Sequence, residues 1–203
     1  MNNDSNPYIR ISPTSASGRG PMGVLCDALN RCGKRMEDAT RKAETLADSF
    51  WHHLRVSPSL SDAAMARLAQ GTKLLTEGGP VKVFQQEFNL LAGEKLLNSF
   101  VCYLSTSSGP VIGTLYVSTK RVCFCSDYPL SRYSPTGSHD WMHYKVVVQV
   151  DQLRTVNPSA NRLNPCERYI RIVTNDNYEF WFMGFISYDK ALNTLNHVVH
   201  NTD

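Results

Sequence analysis

Histidines, cysteines and hydroxyl-bearing side chains are the groups in this 203-residue chain that could do chemistry, and their spacing supports little of it. His139 and His143 stand four apart, the separation at which two imidazoles share one helix face and can hold zinc. The polar, turn-rich composition around them argues against a helix, and no Glu follows His139 at the metalloprotease spacing. His52-His53, His197 and His200 have no partners at ligand spacing. Cys123 and Cys125 lie two apart in an apolar run, so a strand would point both to one face. Small apolar core residues are the bland reading of that pair, and a metal or redox role is the alternative. The remaining cysteines, Cys26, Cys32, Cys102 and Cys166, complete no C-x-x-C motif, and without a secretory signal a disulfide framework is not expected. There is no G-x-S-x-G elbow, Walker loop or G-x-G-x-x-G fingerprint, and no carboxylate pair is suggested by spacing. The expectation is a chain that is not an enzyme and needs no cofactor or metal. Ser12-Pro13, Ser57-Pro58 and Ser134-Pro135 are candidate proline-directed phosphorylation sites, a dipeptide also common by chance.

Charge narrows the partners only slightly. The formal net charge is +3, with 10 basic and 8 acidic residues up to Gly79 and 11 and 10 beyond it. Neither half has the basic excess of a dedicated nucleic-acid binder, so no specific nucleic acid is expected as a partner. No apolar run reaches the roughly 18 to 20 residues that a membrane-spanning helix needs. The first residues, Met1-Asn2-Asn3-Asp4-Ser5, carry neither a secretory nor a myristoylation pattern, and the last carry no prenylation cysteine. The expected setting is intracellular, in cytoplasm or nucleus, with any membrane contact peripheral.

Three segments must position these side chains. Residues 1–21 are rich in Asn, Ser, Pro and Gly without helical or strand period, and read as a disordered tail. Residues 22–79 read as a helical extension. There Leu25, Leu29, Cys32, Met36, Ala39, Ala43, Leu46, Phe50 and Leu54 draw one apolar stripe at spacings of three and four. Intramolecular packing, self-association or a membrane surface could cover that stripe. Ser57-Pro58 stops it, and Ser61 can cap a second helix that ends at Gly78-Gly79. Beyond Pro80 the period changes from about 3.6 to about 2 and the chain reads as strands. The alternating runs are Phe100–Leu104, Val111–Val117, Arg121–Cys125, Tyr144–Val150, Tyr169–Thr174 and Tyr178–Met183. The last two flank Asn175-Asp176-Asn177, residues that tolerate the left-handed backbone of a hairpin turn. Ser187 can cap a closing helix whose apolar face is Ala191, Leu192, Leu195, Val198 and Val199. Residues 80–203 therefore read as an α+β unit: a small antiparallel β-barrel or sandwich of about seven strands capped by a C-terminal helix. Ser126–His143 is read as a long polar connection, and Asn157–Pro165 as a compact turn or helical insertion.

With those elements placed, the stretch FQQEFNLLAGEKLLNSFVCYLSTSSGPVIGTLYVSTKRVCFCSD from Phe84 to Asp127 resembles the GRAM domain of the plant GEM-like, ABA-responsive proteins. So does RYIRIVTNDNYEFWFMGFISYDKAL from Arg168 to Leu192, and SDAAMARLAQGTKLLTEGG from Ser61 to Gly79 is similar to the segment that precedes the domain in that group. The resemblance implies a PH-like fold of two antiparallel sheets and a capping helix. It also implies a module that binds lipid or protein, in a group linked to hormone response, epidermal patterning and reproductive development.

A phosphoinositide pocket needs several cations converging on phosphate oxygens. In many lipid-binding PH domains they come from the first two strands and the loop between them. Here that loop, STSSGPVIG from Ser105 to Gly113, has no basic residue. The candidate lipid-binding cations are Lys120 and Arg121 at the next turn, with Arg154 and Arg162 elsewhere. Solvated turn residues are the competing reading for the first two. Each cation near anionic lipid contributes on the order of 1 kcal/mol, so a few of them give weak, salt-sensitive attachment. Arg171, alternating with Tyr169 and Val173, is expected to pair or stack locally. Phe180, Trp181, Phe182 and Phe185 are read as core. Trp141 and Met142, taken as apolar residues on a loop tip, are candidates for contact with a partner or membrane. Regulatory proteins and anionic lipids such as phosphoinositides are the expected partners.

Overall fold

A computed structural model describes residues 6–13, 79–107, 109–133 and 139–200. Nine strands and two helices lie within them: β1 (Ile9–Pro13), α1 (Pro80–Phe88), β2 (Leu96–Thr106), β3 (Gly109–Ser118), β4 (Arg121–Ser126), β5 (Leu130–Tyr133), β6 (His139–Gln149), β7 (Leu153–Ala160), β8 (Arg168–Thr174), β9 (Glu179–Met183) and α2 (Tyr188–His200). All pairings are antiparallel, in the order β1-β6-β4-β3-β2-β9-β8-β7, with β5 on β6. Two groups of strands meet where β2 touches β9 through only Tyr103↔Met183 and Leu104↔Phe182. The α+β barrel closed by a C-terminal helix is thus present as expected.

The interior follows from the period of two. Phe100, Cys102, Leu104, Leu115, Val117, Val122, Phe124, Val146, Val148, Ile170, Ile172, Phe180 and Phe182 all point inward and are buried. Ala191, Leu195 and Val198 of α2 close the open end, with Leu192 and Val199 partly buried beside them. The void among Leu115, Phe124, Val148, Ile172, Phe180 and Phe182 is only about 10 Å³, no more than one water could use. Trp181 is an exception to the expected aromatic core. Phe180 and Phe182 point inward, so Trp181 must face out, where Arg171 lies 5.5 Å from its ring centroid. Arg171 also pairs with Glu179, the local pairing expected of it. Asn177 has φ 67°, the left-handed turn read from Asn175-Asp176-Asn177.

Four parts of the chain depart from the sequence reading. Within the tail expected to be disordered, Ile9–Pro13 is an edge strand on β6, with Ile9↔Val146 and Arg10↔Lys145 in register, and Tyr8 before it is 7% exposed. A five-residue strand with one buried anchor is too short to show a period. Residues 80–88, read as the start of the strands, are helix α1: Pro80 suits the first helical turn, and Val83, Phe84 and Phe88 form a buried face. The polar connection Ser126–His143 contains β5 and the first half of β6, because backbone pairing does not require apolar side chains. Asn157–Ala160 continues β7, and only the residues after it turn. The stripe from Leu25 to Leu54 and the helix capped by Ser61 lie outside the described residues.

Helix α1 packs on the outer face of the sheet, opposite the barrel interior. Val83, Phe84 and Phe88 bury against Tyr116, Cys123, Cys125 and Val147. A nine-residue helix is not stable alone. Full burial of these three side chains contributes roughly 6 kcal/mol at about 2 kcal/mol each, enough to dock it. Cys123 and Cys125 are therefore small packing residues on one face, and burial pushes the Cys123 thiol up to about 12. Gly113 marks the tightest contact between β3 and β4. A Cβ there would come 2.3 Å from the Cys125 carbonyl oxygen and 2.5 Å from Phe124 Cζ. Gly113→Ala is expected to lower unfolding free energy by about 3 kcal/mol, read as an earlier midpoint in urea titration.

Candidate binding surfaces

Of the predicted cations, Arg121 has the least expected place. It is buried at 5% exposure, neither facing a ligand nor solvated in the turn. Its Nε donates to Glu94 Oε1 at 2.9 Å, and its Nη2 to Glu94 Oε2 at 2.9 Å, Phe88 O at 2.9 Å and Asn89 O at 2.8 Å. Glu94 accepts further from the Leu91 amide at 2.9 Å and the Ser118 hydroxyl at 2.5 Å. Burial pushes the Glu94 carboxyl up, but the hydrogen bonds from Arg121, Leu91 and Ser118 outweigh it and hold it below the ordinary range. Sequence reasoning missed this because Arg121 follows a solvated Lys in a turn, and Glu94 lies 27 residues away.

The other predicted residues scatter. Lys120 is exposed beside Arg121, and its carbonyl accepts from the Val150 amide at 2.9 Å. Arg154 sits at the register shift opening β7 and donates to Asn177 Oδ1 at 2.5 Å. Arg162 follows the other end of β7, which at about 3.3 Å per residue is roughly 26 Å away. Lys120 and Arg154 thus flank the turn Val150–Gln152 at one end of the barrel, and Arg162 belongs to the other. Trp141 and Met142 are not on a loop tip. They are strand residues of β6, in register with Ser131 and Leu130 of β5. His139 and His143 lie on the same strand, and His143 Nδ1 is 3.0 Å from the Ser126 carbonyl. Among the described residues no three His, Cys, Asp or Glu side chains group as metal ligands.

An open groove of about 700 Å³ lies where β8, β9 and the start of α2 meet. Tyr103, Met183, Phe185 and Tyr188 give it an apolar lining, and Ile186 stands at 64% exposure beside them. Gly184, at φ 71°, lets the chain pass against the Tyr103 ring, where a Cβ would come within 2.8 Å. Arg168 stacks 3.8 Å over Tyr188 and pairs with Asp189 at 2.6 Å. The Tyr188 hydroxyl donates to the Tyr169 carbonyl at 2.8 Å, which fixes the end of α2. The exposed Ile beside the strand-to-helix glycine was the signal for this surface. Reading Phe180, Trp181, Phe182 and Phe185 as core passes over it.

Comparison with known proteins places the chain. The GRAM domain model matches residues 82–203. GEM-like protein 1 of Arabidopsis thaliana is 49% identical over 198 residues, 98% of this chain and 75% of that one. GEM-like protein 7 of the same plant is 36% identical over 207 residues, 98% of both chains. Among solved structures, the C-terminal domain of an unknown protein from Leishmania infantum aligns at 24% identity and a TM-score of 0.46, over 58% of this chain and 94% of that one.

Breaking a buried pair leaves an uncompensated charge, so Arg121→Ala is expected to cost about 3–5 kcal/mol in urea denaturation. Lys120→Ala, one residue away, should change stability by about 0.5 kcal/mol or less. The Glu94 carboxyl has a lowered folded-state pKa, so its contribution is present above the ordinary value of 4.5 and is lost as pH falls through the folded value. Glu94→Gln should therefore be destabilised at neutral pH and show a flatter acid branch than the wild type, measured by urea titration across pH.

Proposed function

Because the chain belongs to the GRAM-domain family, in its GEM-like group, we propose that it is a non-enzymatic adaptor that acts by binding regulatory proteins in plant hormone-response or developmental control. The observation that carries this reading is the fate of the cations. Arg121, Lys145, Arg168 and Arg171 each face a carboxylate, and Arg154 and Arg162 lie at opposite ends of β7. A headgroup pocket needs several cations on one spot, whereas the groove beside Ile186 is open and mixed, its apolar and aromatic side chains bordered by Glu167, Arg168, Asp189 and Lys190, the apolar centre with polar rim of a protein-binding surface. The filled barrel interior leaves binding to the outer surfaces.

A second reading, weak peripheral attachment to anionic lipid, has one observation in its favour. The Thr119 amide donates to the Lys95 carbonyl and the Lys95 amide to Thr119 Oγ1, which brings Lys95 beside Lys120, near the end of the barrel that carries Arg154. Three exposed cations suffice only for weak, salt-screened attraction. No helix among the described residues is long and apolar enough to cross a membrane. The setting we assign is cytoplasm or nucleus, with the membrane visited at most transiently.

Flotation of the full chain with phosphatidylcholine vesicles containing a phosphatidylinositol monophosphate separates the readings. Any flotation at low salt is expected to vanish at about 150 mM salt, where the Debye length is about 8 Å. Retention at that salt would instead favour a dedicated lipid module. In parallel, Ile186→Asp in the full chain should remove a set of proteins captured by the wild type from plant extract, without lowering the urea midpoint. Identical capture by both would sink the groove as the adaptor surface.

A further inference from the structure

The segment Asn6–Pro13 meets the rest of the protein as a bound peptide would. Sixty-five residues, 14–78, separate it in sequence from the next described part of the chain. Asn6 and Pro7 make a turn in which the Tyr8 amide donates to Asn6 Oδ1 at 3.0 Å and the Ile9 amide to Asn6 O at 3.2 Å. Beyond the turn, Ile9–Pro13 adds a strand to β6 in register with Val146–Met142. The Tyr8 carbonyl accepts from the Val147 amide at 2.9 Å, extending that ladder.

One side chain anchors the segment. The Tyr8 ring is buried edge-on against Tyr178 at 5.7 Å and Phe180 at 6.1 Å between centroids. Its hydroxyl donates to Asp176 Oδ1 at 2.9 Å and lies 3.0 Å from Gln152 Oε1. Thr174 holds the same Asp176 oxygen at 2.5 Å. The socket accepts a tyrosine hydroxyl and opposes a phosphate, since a carboxylate faces that oxygen. Ile9 packs on the core, whereas Arg10 and Ile11 are exposed, so recognition rests on the turn, Tyr8 and Ile9. Strand addition supplying affinity, with a side-chain pocket supplying specificity, is an established way of reading extended peptides.

We propose that the edge of β6 together with the Tyr178–Phe180–Asp176 socket is a peptide-binding site for extended segments bearing an Asn-Pro-Tyr turn followed by an apolar residue, occupied in cis by this chain's own residues 6–13. A partner carrying an unphosphorylated turn of this kind competes with the N-terminal segment for the seat. The site lies at the Thr174 end of β8 and the groove at the Arg168 end, so the two stand or fall separately.

The test uses the full chain carrying Tyr8→Ala and Ile9→Asp, whose own segment no longer competes, and a fluorescent peptide of residues 4–14. Fluorescence anisotropy should show saturable binding to this variant and binding on the order of 100-fold weaker to the wild type, where the tethered segment has a large effective concentration. The same peptide with phosphotyrosine or Ala at position 8 should fail to compete. Absence of binding, with wild-type circular dichroism and a cooperative urea transition, overturns the proposal, as does equal competition by the phosphorylated peptide. Should the variant not fold, the wild-type full chain is given a protease site between residues 14 and 21 and cut. Exchange of the released segment for labelled peptide supports the site, and failure of labelled peptide to enter overturns it.

Discussion

The buried Arg121–Glu94 pair is the constraint to which the outer half of the structure is tied. A guanidinium removed from water must have its donors met or it costs several kcal/mol. Here the two carboxylate oxygens of Glu94 accept from Nε and Nη2, and the carbonyls of Phe88 and Asn89 accept further from Nη2. Those carbonyls are the ones that the end of α1 leaves without helical partners. One side chain therefore neutralises a carboxylate, caps a helix and fixes the loop from Asn89 to Glu94 against the β3–β4 turn. The Arg121 guanidinium also lies 5.5 Å from the Phe84 ring centroid, so the helix is held by its aromatic face and its end together. A side chain so fully engaged is unavailable to a phosphate, which turns the most suggestive cation of the sequence into a structural one.

That arrangement decides where binding can happen. The first sheet has its inner face against a filled barrel and part of its outer face under α1, so neither offers a ligand cavity. What is left are the places where sheet geometry runs out: the groove where β2 touches β9 for two residues before α2 begins, and the edge of β6. Both are set by backbone geometry. Gly184 has a positive φ against the Tyr103 ring, and β6, besides its pairing with β4 and β5, offers a further ladder that β1 fills. Unfilled sheet edges invite unwanted pairing, and a short strand ending in Pro is a usual means of blunting them.

Much of this was legible in the sequence, and the boundary of legibility has a physical cause. Strands β2, β8 and β9 and helix α2 turn an apolar face to the core, and β3 and β4 are buried under α1 on their other face as well, so their side chains write a strand or helix signal into the text. Helix α1 also buries one face, but it is only nine residues long and follows Gly78-Gly79, so a strand reading that begins beyond Pro80 passes over it. Strands β1 and β5 are held by backbone bonds and leave almost no pattern. Arg171 could be placed because Glu179 lies across a short hairpin. Arg121 could not, because its carboxylate comes from a loop before β2. Trp141 reads as a loop residue for the same reason that β5 is hidden: polar neighbours signal a connection, and a paired strand can run through polar sequence.

The position of β1 also changes what counts as the folding unit. A boundary at residue 80 follows the change of period, and the family match begins close by, at residue 82. The packed core nonetheless includes Asn6–Pro13, since Tyr8 contributes a buried ring and a hydroxyl to the same core as Phe180 and satisfies the turn of β8 and β9 through Asp176. A chain cut at residue 80 would leave Tyr178 and Phe180 uncovered, Asp176 without the tyrosine hydroxyl and β6 with an open edge. Apolar surface beside an unpaired edge is sticky toward lipid and protein alike. Binding measured on such a fragment would therefore report the missing strand as much as the protein's own surface, and the chain's partners are properly sought with its first residues in place.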